Sequence, residues 1–146
     1  MDDPFLIEDA IRAILLAATS VTAHVGERIR PYILDEGDAL PALVVSVEEE
    51  NYEQDLEDSL EGDAGTARAT ISVHSIATSA REARLLSKRV IAALADYDEE
   101  ISGAELGEIS IINETHTVIP EGDDGDNWRQ VVTAEFDVFY STPSEE

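Results

Sequence analysis

An α+β sandwich, an antiparallel sheet of about four to five strands with helices packed on one face, is the fold this sequence predicts. Three observations carry that expectation. Residues 128–140 alternate cleanly, with Trp128, Val132, Ala134, Phe136, Val138 and Tyr140 on one face. Residues 66–75 alternate in the same way, with Ala67, Ala69, Ile71 and Val73 inward and Arg68, Thr70, Ser72 and His74 outward. Between these strands lies a long stretch of helical period, so hairpins and helices share one core.

The elements follow in order. Asp3 and Pro4 open a helix as N-cap and first helical residue. Phe5, Ile7, Ile11, Ile14, Leu15 and Ala18 then form its apolar face. A second helical turn, Ser20 to Val25, stops at Gly26. Glu27 to Ile33 reads as a short extended segment ending near Pro31, and Asp35 to Asp38 as a loop. Pro41 admits a strand over 42–52, with Leu43, Val45 and Val47 on one face. Residues 53–65, EQDLEDSLEGDAG, form an acidic arm before the strand at 66–75. Thr78 or Ser79 caps the longest helix, and Glu82, three residues after Ser79, completes a capping box. That helix runs to about Tyr97 with Ala80, Ala83, Leu86, Val90, Ile91 and Leu94 as its buried stripe. A loop over 98–107 leads to a strand of mixed pattern, 108–119. Pro120 to Asn127 is rich in turn formers before the closing strand. The tail, 141–146, is expected to fray, and the whole of 1–146 is expected to form one domain.

Charge limits the partners. Thirty-three Asp and Glu face nine Lys and Arg, a net charge of −24, and Lys88 is the only lysine. Nucleic-acid affinity depends on cations that displace counterions, so sequence-specific nucleic-acid binding is not expected. An anionic membrane is disfavoured for the same reason, and no apolar run reaches the ~20 residues of a membrane span. The start of the chain lacks the basic region of a secretory signal. Acid excess with scarcely any lysine suits a high-salt environment, where screening relieves self-repulsion. With no cysteine, thiol catalysis and thiolate metal sites are excluded.

No catalytic constellation emerges. There is no Gly-rich phosphate loop, no Gly-x-Ser-x-Gly elbow and no suggestive Ser/His/Asp set. His74 and His116 fall on different strands and could be neighbours in the sheet, but zinc-ligand spacing is missing and solvent-facing histidines are the simpler reading. Asp123 to Asn127 fails the EF-hand register, as does the acidic arm, so crowded carboxylates there offer at most weak divalent binding. Glu135 and Asp137 read as a solvated strand face. Neither a cofactor nor a dedicated metal site is expected.

One local exception to the acidity stands out. Arg81, Arg84, Lys88 and Arg89 supply four of the nine cations, and the first three fall within about 60° of one another on the helix, beside the apolar stripe. Two readings remain open: pairing with acids of the same subunit while the aliphatic stems cover the core edge, or contact with the acidic surface of an identical neighbour.

The order of elements resembles the tail-completion and tail-terminator proteins of long-tailed, siphovirus-like phages and archaeal tailed viruses. The matching stretches are Ala10 to Ala17, Val21 to Ile29 with its Val-Gly-x-Arg-Ile run, the Pro-led strand 41–46, strand 67–73 leading into the helix with Ser79 to Ala83, and the closing strand 132–140. The resemblance spans nearly the whole chain. It implies a non-enzymatic virion protein that forms a ring, commonly a hexamer, at the head-proximal end of the tail tube. Such a ring terminates the tail and docks it to the neck or head connector after assembly in the host cytoplasm. Its implied partners are itself, the tail-tube protein and a neck or head-connector protein. The extreme acidity and the arm depart from the family pattern, and Asp55, Leu56, Glu57, Asp58, Leu60 and Glu61 are the arm's candidate assembly residues. An acidic lumen would also suit a channel through which DNA slides without sticking. The competing readings are a small-molecule-binding α+β regulatory module and another neck or tail-tube component.

Overall fold

The computed structural model describes residues 6–33, 39–53, 66–95, 100–101, 104–121 and 127–141; among these, the side chains of residues 52–53, 66, 100–101, 104–108, 120–121, 127–128 and 141 are not described. Two helices come first, α1 (Ile7–Ala17) and α2 (Thr19–Val25). They are followed by β1 (Ile29–Pro31), β2 (Ala42–Glu53) and β3 (Thr66–Ala77). Then come α3 (Ala80–Ala95), β4 (Glu100–Ile101), β5 (Ala104–Glu121) and β6 (Asn127–Ser141). The strands form one sheet in the order β1-β2-β3-β6-β5-β4. Every pairing is antiparallel except β1 with β2. The expected α+β class is therefore the one adopted, with a short parallel pair at its edge.

The core lies between the sheet and the three helices. Ile7, Ile11, Ile14 and Leu15 of α1, Val21 and Val25 of α2, and Leu86, Val90 and Leu94 of α3 form one buried cluster with the sheet. From the strands come Leu43, Val45, Ala67, Ala69, Ile71, Val73, Ala134, Phe136, Val138 and Tyr140. The small residues of β3 let the helices approach, and Phe136 fills the space beside them. Burying each such large side chain stabilises the fold by ~1.5–3 kcal/mol before entropy is counted. Gly26 ends α2 at φ 58, a left-handed conformation that a glycine adopts without Cβ strain.

Several local expectations are corrected. α1 starts at Ile7 with Leu6 as an N-cap that makes no side-chain bond; Asp3, Pro4 and Phe5 lie outside the described residues, as do 34–38. The expected loop over 98–107 contains β4 and the start of β5, because Glu100 and Ile101 pair back on Glu105 and Ala104. Ala80, the first residue of α3, is exposed rather than part of its buried stripe, whereas Ala83 in the same turn is buried against Ala77 and Val132. Ser87, by contrast, is fully buried. The arm beyond Glu53, the run 122–126 and the tail 142–146 lie outside the described residues.

Among the described residues no helix covers the sheet's other face, yet that face is not uniformly wet. Val44, Ile76 and Val131 form a small buried cluster with Leu40 packed against it. Beside it runs a polar ladder. The Ser46 hydroxyl donates to Glu48 at 3.0 Å and lies 3.5 Å from His74 Nε2, while His74 Nδ1 lies 2.8 Å from Thr133 Oγ1. Arg68 donates to Asp137 at 2.6 Å and stacks over the ring of Phe139. Cross-strand contacts of this kind replace a second helical layer.

Candidate assembly surfaces

The cationic helix divides into two sides. Ser79 Oγ accepts the backbone N–H of Glu82 at 3.1 Å, so the expected cap is in place and α3 starts where the sequence says. From that start, Lys88 turns toward β5 and donates to Glu114 at 2.8 Å. The Ser87 hydroxyl donates to the other oxygen of Glu114 at 2.6 Å. Burial works to raise the Glu114 carboxyl, but the hydrogen bonds from Lys88 and Ser87, with the charges of Lys88 and Arg84, outweigh it and hold it below its ordinary range. Lys88 is therefore engaged within its own subunit, and Arg84 contributes to the same field.

Arg81 and Arg89 border a different feature. With Leu85 they line an open groove of about 520 Å³, walled by Ala23 and His24 of α2 and by Pro41, which precedes β2. Neither arginine makes an ion pair with a described residue. Leu85 is 40% exposed between them, and buried Leu86 forms the floor. The sequence expectation of one cationic face is thus split into a paired half and an unpaired half. On the helical wheel Arg81 lies between the two halves, ~20° from Lys88 and ~80° from Arg89, so the division is set by what each side chain meets, Glu114 of β5 or the α2 groove.

A second surface carries no clear periodicity in the sequence. β5 is eighteen residues long, and β4 pairs only with Ala104 and Glu105. Beyond that pair no described strand covers its outer edge. Ile111, Ile112, Val118 and Ile119 are 42–51% exposed along it. A bulge between Ile111 and Asn113 interrupts the alternation, so Ile112 joins Asn113 opposite Glu135 on the helix-free face. The doublets Ile111-Ile112 and Val118-Ile119 were the signal: two adjacent isoleucines cannot both face one core.

The opposite edge is built differently. β1 covers only Leu43 to Val45 of β2. A bulge between Val47 and Glu49 then places Glu48 and Glu49 together on the exposed face. Paired acids at a bulge discourage another strand from adding there.

The histidines are not neighbours. His74 sits on β3 opposite Thr133, whereas His116 sits on β5 opposite Val132, so β6 separates them and they point to opposite faces. His74 is half-buried rather than solvent-facing; burial pushes its pKa down, against the charges of Glu48 and Glu135. His116 is exposed, with Nε2 2.8 Å from Gln130 Oε1. Among the described residues no group of three His, Asp or Glu is placed to hold a metal, and no helix is long and apolar enough to cross a membrane. Asp137, which the sequence left on a solvated face, is bonded by Arg68 and, at 3.3 Å, by Thr70.

Residues 9–138, from within α1 to near the end of β6, match the family described as tail completion protein gp17. The chain belongs to that family. As a tail completion protein it is a structural component of the virion tail and not an enzyme. A solved chain from the virion of a native gene transfer agent particle has the same fold, with a TM-score of 0.65 and 16% identity over 92% of this chain and 94% of that one. No curated protein matches the sequence.

Proposed function

We propose that this tail completion protein assembles with copies of itself into a closed ring, six subunits in the family pattern, that ends the tail tube and offers its far surface to a neck or head-connector protein. The observation that carries the reading is the apolar outer edge of β5. Four large aliphatic side chains are about half exposed there on a molecule of net charge −24. Clustered apolar surface on so acidic a protein marks a contact that is covered when the protein works. The acidic edge of β2 adds to the argument, since it leaves the sheet with one receptive side. The similar chain in the gene transfer agent particle is itself part of a virion, which is consistent with a fold suited to particle assembly.

Sedimentation velocity and negative-stain microscopy of the purified chain test this. A single large species that appears as rings is expected. A chain that remains monomeric across the micromolar to millimolar range overturns the ring. Co-sedimentation of the rings with assembled tail tubes then tests the docking half of the proposal.

A further inference from the structure

We propose that the groove between α2 and the first turns of α3 is the seat for the acidic segment 53–63 of a second copy of this chain. The proposal rests on the ring reading and supplies the chemistry of one subunit contact. The groove presents two guanidinium groups, Arg81 and Arg89, with no ion-pair partner among the described residues, and an exposed Leu85 between them. Its one carboxylate, Glu82, sits in the first turn of α3, where the helix dipole favours a negative charge. Two arginines with no ion-pair partner among the described residues, on so acidic a molecule, call for an anionic occupant, and Leu85 calls for an apolar side chain within it.

Residues 53–63, EQDLEDSLEGD, have that composition: six carboxylates, with Leu56 and Leu60 four apart. The topology excludes the segment of the same subunit. Glu53 pairs with Thr66, so residues 54–65 depart from one end of the β2–β3 hairpin and return to it. The groove lies at the other end, beside Pro41 and Ser79, past the pairing of Ala42 with Ile76. Eleven strand steps at ~3.3 Å separate the two ends by about 36 Å. A twelve-residue excursion that must return to its start reaches at most about 20 Å. An arm that fills the groove therefore comes from another molecule, and an identical neighbour supplies the same leucine-bearing acidic arm. Donor and acceptor are different surfaces at opposite ends of each subunit, so in the proposed ring the contact is heterologous, and every copy gives an arm and receives one.

Charge reversal tests this on full-length chains. One chain carries Arg81→Glu with Arg89→Glu, and the other carries Asp55→Lys, Glu57→Lys, Asp58→Lys and Glu61→Lys, which makes its arm net positive. Far-UV circular dichroism first establishes that both fold; if the groove chain does not, Arg81→Gln with Arg89→Gln replaces it. At one fixed salt concentration each chain alone is expected to need at least tenfold more protein than the parent to assemble, because its own arm and groove now repel. An equimolar mixture restores the parent's oligomer, since each arm then meets an opposite groove. Either chain assembling like the parent, or a mixture that fails to assemble, overturns the contact and leaves the ring reading standing. A parent chain that sediments as a monomer removes the ring reading itself. The contact is then decided by fluorescence anisotropy of a labelled 53–63 peptide: binding to the parent and not to the groove chain supports it, and equal signals on both overturn it.

Discussion

At the scale of single residues, two polar groups hold positions that hydrophobic patterning does not reveal. Glu114 gathers Lys88 and the buried Ser87 onto one carboxylate. The pair with Lys88 is half in water, so Lys88→Gln is expected to cost only ~0–1 kcal/mol. Glu114→Ala also strands the Ser87 hydroxyl in the core and is expected to cost about 1–3 kcal/mol. Urea unfolding of the two variants beside the parent checks the order; equal losses would mean that Ser87 finds another acceptor. His74 makes a prediction in pH. Burial lowers its folded pKa below the ordinary imidazole value of about 6.5, so the unfolded chain binds the proton more readily. Its contribution is complete above about pH 6.5 and declines as pH falls below it. Glu114, with its folded pKa depressed, loses its contribution only in the lower carboxylate range, below about pH 4.3. Between pH 7 and 5 the His74→Gln protein should therefore show a shallower fall in melting temperature than the parent. Identical slopes would mean that His74 binds its proton equally well in the folded and unfolded states.

At the scale of elements, legibility followed burial. β3 and β6 face the helices along most of their length, and their alternation read directly from the sequence. The Ser79 cap, the stop at Gly26 and the admission of β2 after Pro41 were equally plain, because each is set by local backbone chemistry. β5 was opaque because two bulges and a missing neighbour remove the single core that creates alternation. The parallel pairing of β1 was opaque because three residues carry no periodic signal. The candidate cations were legible as a cluster, while their division between Glu114 and the groove required the strand that α3 packs on. The exposed edge of β5 yields the next prediction. Ile112→Lys with Ile119→Lys should leave the melting temperature of the subunit almost unchanged, since half-exposed surface changes cost about 0.5 kcal/mol or less each. Sedimentation should show weakened self-association. An unchanged oligomer would return this edge to plain surface. The arm permits a complementary test: because Glu53 and Thr66 already pair, replacing residues 54–65 by Asn-Gly closes a two-residue hairpin. The shortened chain should fold, and a failure to fold would make the arm part of the core.

At the scale of the whole molecule, charge dominates. A net charge of −24 opposes the compact state at low ionic strength. The Debye length falls from ~10 Å at 0.1 M to ~3 Å at 1 M salt, so the melting temperature should climb steeply across that range. A flat or falling curve in thermal scans would remove the case for salt adaptation and leave the fold untouched. The same composition decides how the protein answers covalent reagents. Lys88 is the chain's one lysine, and it already touches Glu114. Amine-to-amine fixatives therefore have almost nothing to bridge between subunits, however closely the copies pack. A carbodiimide, which condenses an amine with a carboxylate and inserts no spacer, finds its reactants already in place between α3 and β5. The resulting amide closes a loop over a sequence separation of 26. It would staple helix to strand, raise stability by ~3 kcal/mol on chain-entropy grounds, and leave the subunits of any assembly separable on a denaturing gel.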